Sequence, residues 1–268
     1  MQNILSITLK STIAQLISIT GVFFLFGYLL YFLQKRINKN YIKVFGWNSL
    51  LLTAWIGTPI HEFGHLLFAL IFNYKIKNVN LFTPNKKTGR MGHVKYGYKK
   101  GSILHRLGKF FVGSGPLFFG TVVVVILMYY LVPNGVEILT LLNKNINLEF
   151  TSQIQEILWS LLTVSNFYNY QFWIFLYLAL SIVTHMAPSK RDMSQMWSGF
   201  FWFGLILFAL NLIALSIFGV ELNQYFVSLK YYLAVLTSFF IFAVVLASLH
   251  LLITEIILRF YNFFKKYK

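Results

Sequence analysis

His61 and His65 stand four residues apart with a glutamate beside the first, in the order His61-Glu62-Phe63-Gly64-His65. On a helix, positions i and i+4 share a face, so both imidazoles can turn a ring nitrogen toward one metal ion while Glu62 reaches its open side. The chemistry this spacing suits is metal-assisted hydrolysis, with Zn2+ as the metal and Glu62 as the base that takes a proton from water. A catalytic zinc ordinarily has three protein ligands. The chain has no cysteine, so the third must be a histidine or a carboxylate. The single aspartate, Asp192, and the histidines His93, His105, His185 and His250 are the first to consider.

The elements that must position these groups are apolar. With 57% hydrophobic and only 11% charged residues, the chain falls outside the range of soluble domains, which carry about 25% charged residues. Runs long enough to cross a bilayer lie near 12–33, 46–72, 110–132, 171–187, 195–218 and 231–258. The fold expected is an all-α polytopic membrane protein with about six transmembrane helices. The metal motif falls inside the second run, where an ionisable residue at a helix centre costs roughly 2.5 to 3.5 kcal/mol and so marks a functional position. The first run lacks a small-x-small cleavage site and reads as a retained helix.

The net charge of +16 flanks the apolar runs, where basic residues face the cytoplasm and anionic lipid; this excludes nucleic acid as the expected partner. The segment 74–109 holds ten Lys and Arg residues, and the C-terminus ends in Lys265, Lys266 and Lys268, which places both on the cytoplasmic side. The connection 133–170, with Lys144 against Glu137, Glu149 and Glu156, goes to the other side, and Lys190 and Arg191 return to the cytoplasm. Strict alternation then puts Lys35, Arg36, Lys39 and Lys43 opposite the larger basic loop. Within that loop, Lys77–Phe82 and Met91–Tyr98 alternate apolar and polar residues around a turn-rich 83–89, which predicts a small β-hairpin after the second helix. Leu148–Trp159 has the spacing of a short amphipathic surface helix. The whole chain, 1–268, reads as a single membrane domain: a first helix and basic loop at 1–45, a metal-bearing core at 46–200 and C-terminal helices at 201–268.

Asp192 follows the fourth run in Pro188-Ser189-Lys190-Arg191-Asp192, at the membrane edge toward which the second run carries His61 and His65. With these residues in place the chain resembles the site-2 protease family of intramembrane zinc metalloproteases (peptidase M50-like), on H-E-x-x-H in one helix, Gly115-Pro116 in a later one and Asp192 after Pro188. The resemblance covers roughly 46–200. It implies that His61, His65 and Asp192 bind the metal, that Glu62 activates water, and that the hairpin near 77–98 presents an unwound strand of a transmembrane or membrane-associated protein substrate. The chain departs from the family where leucine and glycine flank the aspartate and where asparagine precedes the proline; here Arg191 and Met193 flank it. The implied activity is intramembrane peptide hydrolysis, in a bacterial or archaeal cell membrane, with the active site toward the cytoplasm.

Other polar residues carry two readings each. His185, seven residues before Asp192, orients a ligand, replaces Asp192, or is a hydrogen-bonded residue of the bundle. His93 is an interfacial residue of the hairpin or blocks the site, and His105 is a surface residue at a helix start. Glu255 can pair with Arg259 four residues on, which makes it and His250 structural. Gly113, Gly115 and Gly120 allow close helix packing or contact substrate together with Pro116. The alternatives to a peptidase are a non-proteolytic membrane zinc-binding regulator or assembly protein, and a metal or proton transporter.

Overall fold

A backbone surrounded by lipid must satisfy its own N–H and C=O groups, so apolar runs of this length fold as helices. The computed structural model describes residues 2–99, 101–144 and 150–266. Its helices are α1 (Gln2–Phe45), α2 (Leu51–Ile71), α3 (Ile103–Leu131), α4 (Gly135–Lys144), α5 (Phe150–Leu161), α6 (Val164–Phe167), α7 (Tyr170–His185), α8 (Lys190–Phe218) and α9 (Val227–Lys266). Strands β1 (Lys75–Asn80) and β2 (His93–Gly97) lie between α2 and α3.

All six apolar runs fall in helices, and α1, α3, α8 and α9 are long and apolar enough to cross a membrane. The other two differ for separate reasons. At 16 residues, α7 spans about 24 Å, short of the roughly 30 Å of a hydrocarbon core. In the 21 residues of α2, His61, Glu62 and His65 dilute the apolar character. At 44 and 40 residues, α1 and α9 reach about 66 and 60 Å, because helix continues through the polar flanks of the apolar runs.

The expected hairpin is present. β1 and β2 pair antiparallel, with Ile76 opposite Tyr96 and Val79 opposite Val94, and the register shifts between Ile76 and Asn78. The first strand begins and ends two residues earlier than the alternation suggested and the second is shorter, since residues 81–92 are given to the turn, with Asn85 bridging Arg90. The expected amphipathic helix corresponds to α5; Leu148 and Glu149 lie outside the described residues, as does Lys268. Asn166 Nδ2 donates to the Leu161 carbonyl at 2.9 Å and to Asn134 Oδ1 at 2.9 Å, tying α6 to the ends of α4 and α5.

Two features of the bundle bear on the metal motif. First, α7 and α8 follow one another down the same side of α3: Met186 lies against Gly120, Asp192 against Gly113 and Phe110 against Gly199. The chain is a helix broken at 186–189, where Pro188 removes a donor and Ser189 starts the next helix. Second, Phe23, Phe110, Phe240, Phe172 and Phe175 belong to one buried apolar cluster drawn from α1, α3, α7 and α9, against which the break is seated through Met186 and Ala187.

Candidate metal centre

Three close helix approaches assemble the site, and each depends on a glycine. Where α2 meets α3, a Cβ on Gly64 would stand 2.6 Å from the Gly115 carbonyl oxygen, and one on Gly115 would stand 2.5 Å from that of Gly64. At this spacing the Val112 carbonyl of α3 comes within 2.8 Å of His65 Nδ1. Gly57 does the same between α2 and α7, where the His185 carbonyl lies 2.7 Å from His61 Nδ1. Gly113 lets α8 approach α3 until a Cβ there would lie 2.6 Å from the Asp192 carbonyl oxygen. Gly113, Gly115 and Gly120 therefore act in packing, with Pro116 continuing the same contact against Gly64.

Carbonyl oxygens only accept, so Nδ1 of both histidines carries the proton and Nε2 presents a lone pair. The two Nε2 atoms face each other at 3.1 Å, and His65 Nε2 and His61 Nε2 lie 3.3 and 3.7 Å from Asp192 Oδ1 and Oδ2. With both rings neutral, two lone pairs at 3.1 Å repel, so either a proton on one Nε2 or a metal ion must lie between them. Donors bound at about 2.0 to 2.2 Å to one tetrahedral ion sit roughly 3.3 to 3.6 Å apart, close to the separations seen. The residues therefore fit a metal: His61, His65 and Asp192 form a group able to hold one, its ligand atoms all within 4.8 Å of one another.

Asp192 has a second bond that sequence reading missed. Its Oδ2 accepts the Ser189 N–H at 2.8 Å while Ser189 Oγ accepts the Asp192 N–H at 3.3 Å, a reciprocal capping box at the start of α8. The signal was legible as Ser189-x-x-Asp192. This cap holds the carboxylate rotamer, leaving Oδ1 aimed at His65.

Glu62 is buried beside the group, and β2 covers it. The Val94 N–H faces its carboxylate, and a Cβ on Gly92 would meet Glu62 Cγ at 2.9 Å. A cavity of about 400 Å³ is walled by the triad, Glu62, β2 and Gln195. Tyr96 of β2 donates to Gln195 Oε1 across it, and burial pushes its phenol up to about 12, so it remains a donor at neutral pH. Neither Tyr96 nor Gln195 stood out in the sequence, because nothing local marks a strand tyrosine that meets a helix 99 residues away.

Three further histidines bond away from the triad. His185 bonds Thr53 Oγ1 through Nε2 at 3.0 Å, so it supports His61 through its carbonyl and not through its ring. His93 Nε2 bonds Asn78 Oδ1 across the hairpin at 2.8 Å, at the wall of the cavity and outside the triad. His105 stacks on Tyr74 and joins the Lys99 N–H to the Asn73 carbonyl. Glu255 pairs with Arg36 of α1 at 2.8 Å, a partner across the bundle that helical spacing cannot reveal. No protein-family model matches the chain, and neither does any curated protein or solved structure.

Proposed function

We propose that this chain is an intramembrane zinc endopeptidase of the site-2 protease type, with six membrane-crossing segments and its site toward the cytoplasm. The observation that carries the reading is the convergence of two Nε2 atoms and one carboxylate oxygen on one point, with Glu62 beside it and both Nδ1 protons committed to carbonyls. His61, His65 and Asp192 would hold the ion. Bound there, Zn2+ supplies a Lewis acid that polarises a peptide carbonyl and acidifies water.

The chain's own groups do the rest. Glu62 accepts a proton as water oxygen bonds to the carbonyl carbon, then returns it to the nitrogen as the C–N bond breaks. The Val94 N–H orients the Glu62 carboxylate, and Tyr96 lines the side from which a substrate backbone enters. The free edge of the hairpin suits pairing with a locally unwound substrate segment, since a helical carbonyl is hidden in its own hydrogen bond. The substrate class is therefore a transmembrane or membrane-associated protein.

The test is paired. Purified wild-type protein should carry about one zinc per chain and cleave a co-expressed membrane substrate, and Glu62→Gln should keep the zinc and lose cleavage. Cleavage that survives Glu62→Gln would refute the mechanism. Because Asp192 also serves the α8 cap, a zinc-holding regulator without peptidase activity is the second reading. Full zinc occupancy in a wild type that cleaves nothing would favour it.

A further inference from the structure

A second cavity, of about 720 Å³, opens on the other side of Glu62 and His61, and its wall carries Lys35, Lys39 and Lys43 of α1 together with Lys190 of α8. These are the residues that alternation of charge assigned to opposite sides of the membrane; here they surround one space. All four are exposed, and among the described residues none is ion-paired. Of the seven acidic side chains, Glu62 lies in this wall, while Glu255, close by along α1, is paired with Arg36. The cavity is thus cationic and uncompensated at the point where it reaches the catalytic carboxylate.

The lysines also have a repeat. At four-residue intervals on one helix, Lys35, Lys39 and Lys43 climb about 6 Å per step along one face. An extended polypeptide presents every second side chain to the same side at about 6.6 Å. A row of cations at that interval matches a strand with carboxylates at alternate positions, whereas a lone phosphate is better held by cations clustered around one point. Tyr31, Ile42, Met91 and Ala187 supply apolar wall between the charges.

We infer that this cavity binds the substrate segment flanking the scissile bond, and that Lys35, Lys39, Lys43 and Lys190 select an extended stretch with acidic residues at alternate positions. The inference rests on the peptidase reading for its consequence, but the binding it describes can be measured without turnover. The full-length Glu62→Gln protein in detergent is titrated into two fluorescein-labelled ten-residue peptides, one with glutamate at three alternate positions and one with glutamine there, and anisotropy is followed. The glutamate peptide should bind about tenfold or more tightly at low salt, and the difference should shrink as KCl is raised. The triple variant Lys35→Gln/Lys39→Gln/Lys43→Gln should erase it and the triple arginine variant restore it; these side chains are exposed, so a thermal melt of each variant checks folding.

Equal affinity for both peptides, or a glutamine variant that folds and still discriminates, overturns the inference. So does lysine-dependent binding of phosphatidylglycerol vesicles with no peptide binding, which would assign the cavity to lipid headgroups. Failure of the peptidase reading looks different: wild-type protein would discriminate the peptides and cleave neither. If wild type cleaves both equally fast with equal affinity, the peptidase stands and the acidic selection falls.

Discussion

Two buried groups of polar side chains in this bundle each contain histidine, and they differ in whether the bonds close. Between α1, α7 and α9, His250 has both nitrogens bonded, Nδ1 to Thr184 Oγ1 at 2.7 Å and Nε2 to Tyr41 at 2.9 Å. Asn40 reaches Thr254 and Arg36 reaches Glu255 nearby. Between α2, α3, α7 and α8, by contrast, each histidine has one nitrogen satisfied by a carbonyl and the other facing a second acceptor. A network whose donors and acceptors all match is complete as it stands and ties helices together. One whose acceptors converge is complete only when a proton or a metal ion lies between them. That is why His61 and His65, and not His250, read as ligands.

The comparison can be broken most sharply at Glu62. Glu62→Gln should lower cleavage of a membrane substrate by about 10² to 10⁴-fold with zinc content unchanged, measured by product formation alongside elemental analysis. His65→Ala should reduce zinc to well under one per chain, while His250→Ala leaves it at the wild-type level; loss of zinc from both would erase the distinction drawn between the two groups. Gly64→Ala inserts a methyl group 2.6 Å from the Gly115 carbonyl, so α2 and α3 must part and zinc affinity should fall about tenfold or more, read by competition with a chromogenic chelator.

Smaller effects sharpen the same contrast from the structural side. His250→Ala leaves the Tyr41 hydroxyl without its partner, while Thr184 keeps its bond to the Leu180 carbonyl, and should cost about 1 to 3 kcal/mol, seen as a lower Tm in detergent, with cleavage by the folded fraction unaffected. Ser189→Ala removes the cap that steadies Asp192 and should cost about 1 kcal/mol in stability, with only a few-fold loss of zinc affinity. A zinc affinity untouched by Ser189→Ala would show that Asp192 holds its orientation without the cap.

Much of the fold was legible because apolar length and alternation are local. The six helical runs and the hairpin follow from composition within each segment, and H-E-x-x-H puts two ligands on one face by helical geometry alone. The choice between Asp192 and His185 was not local. It turned on α7 stopping at His185, so that its carbonyl supports His61, and on α8 starting at Ser189, so that Asp192 turns toward His65. Glu255 shows the limit of local spacing, since Arg259 was within reach on its own helix while Arg36 of α1 is its hydrogen-bonded partner.

By itself the sequence determined a helical chain with six long apolar runs, a paired-histidine motif and one aspartate. Only the tertiary structure decided which polar groups are satisfied and which converge. That outcome depends on helix approaches so close that an added Cβ would stand 2.5 to 2.6 Å from a backbone oxygen, at Gly57, Gly64, Gly113 and Gly115, between segments 47 to 124 residues apart. A glycine in the sequence permits such an approach, but the partner it meets is fixed only when the helices pack.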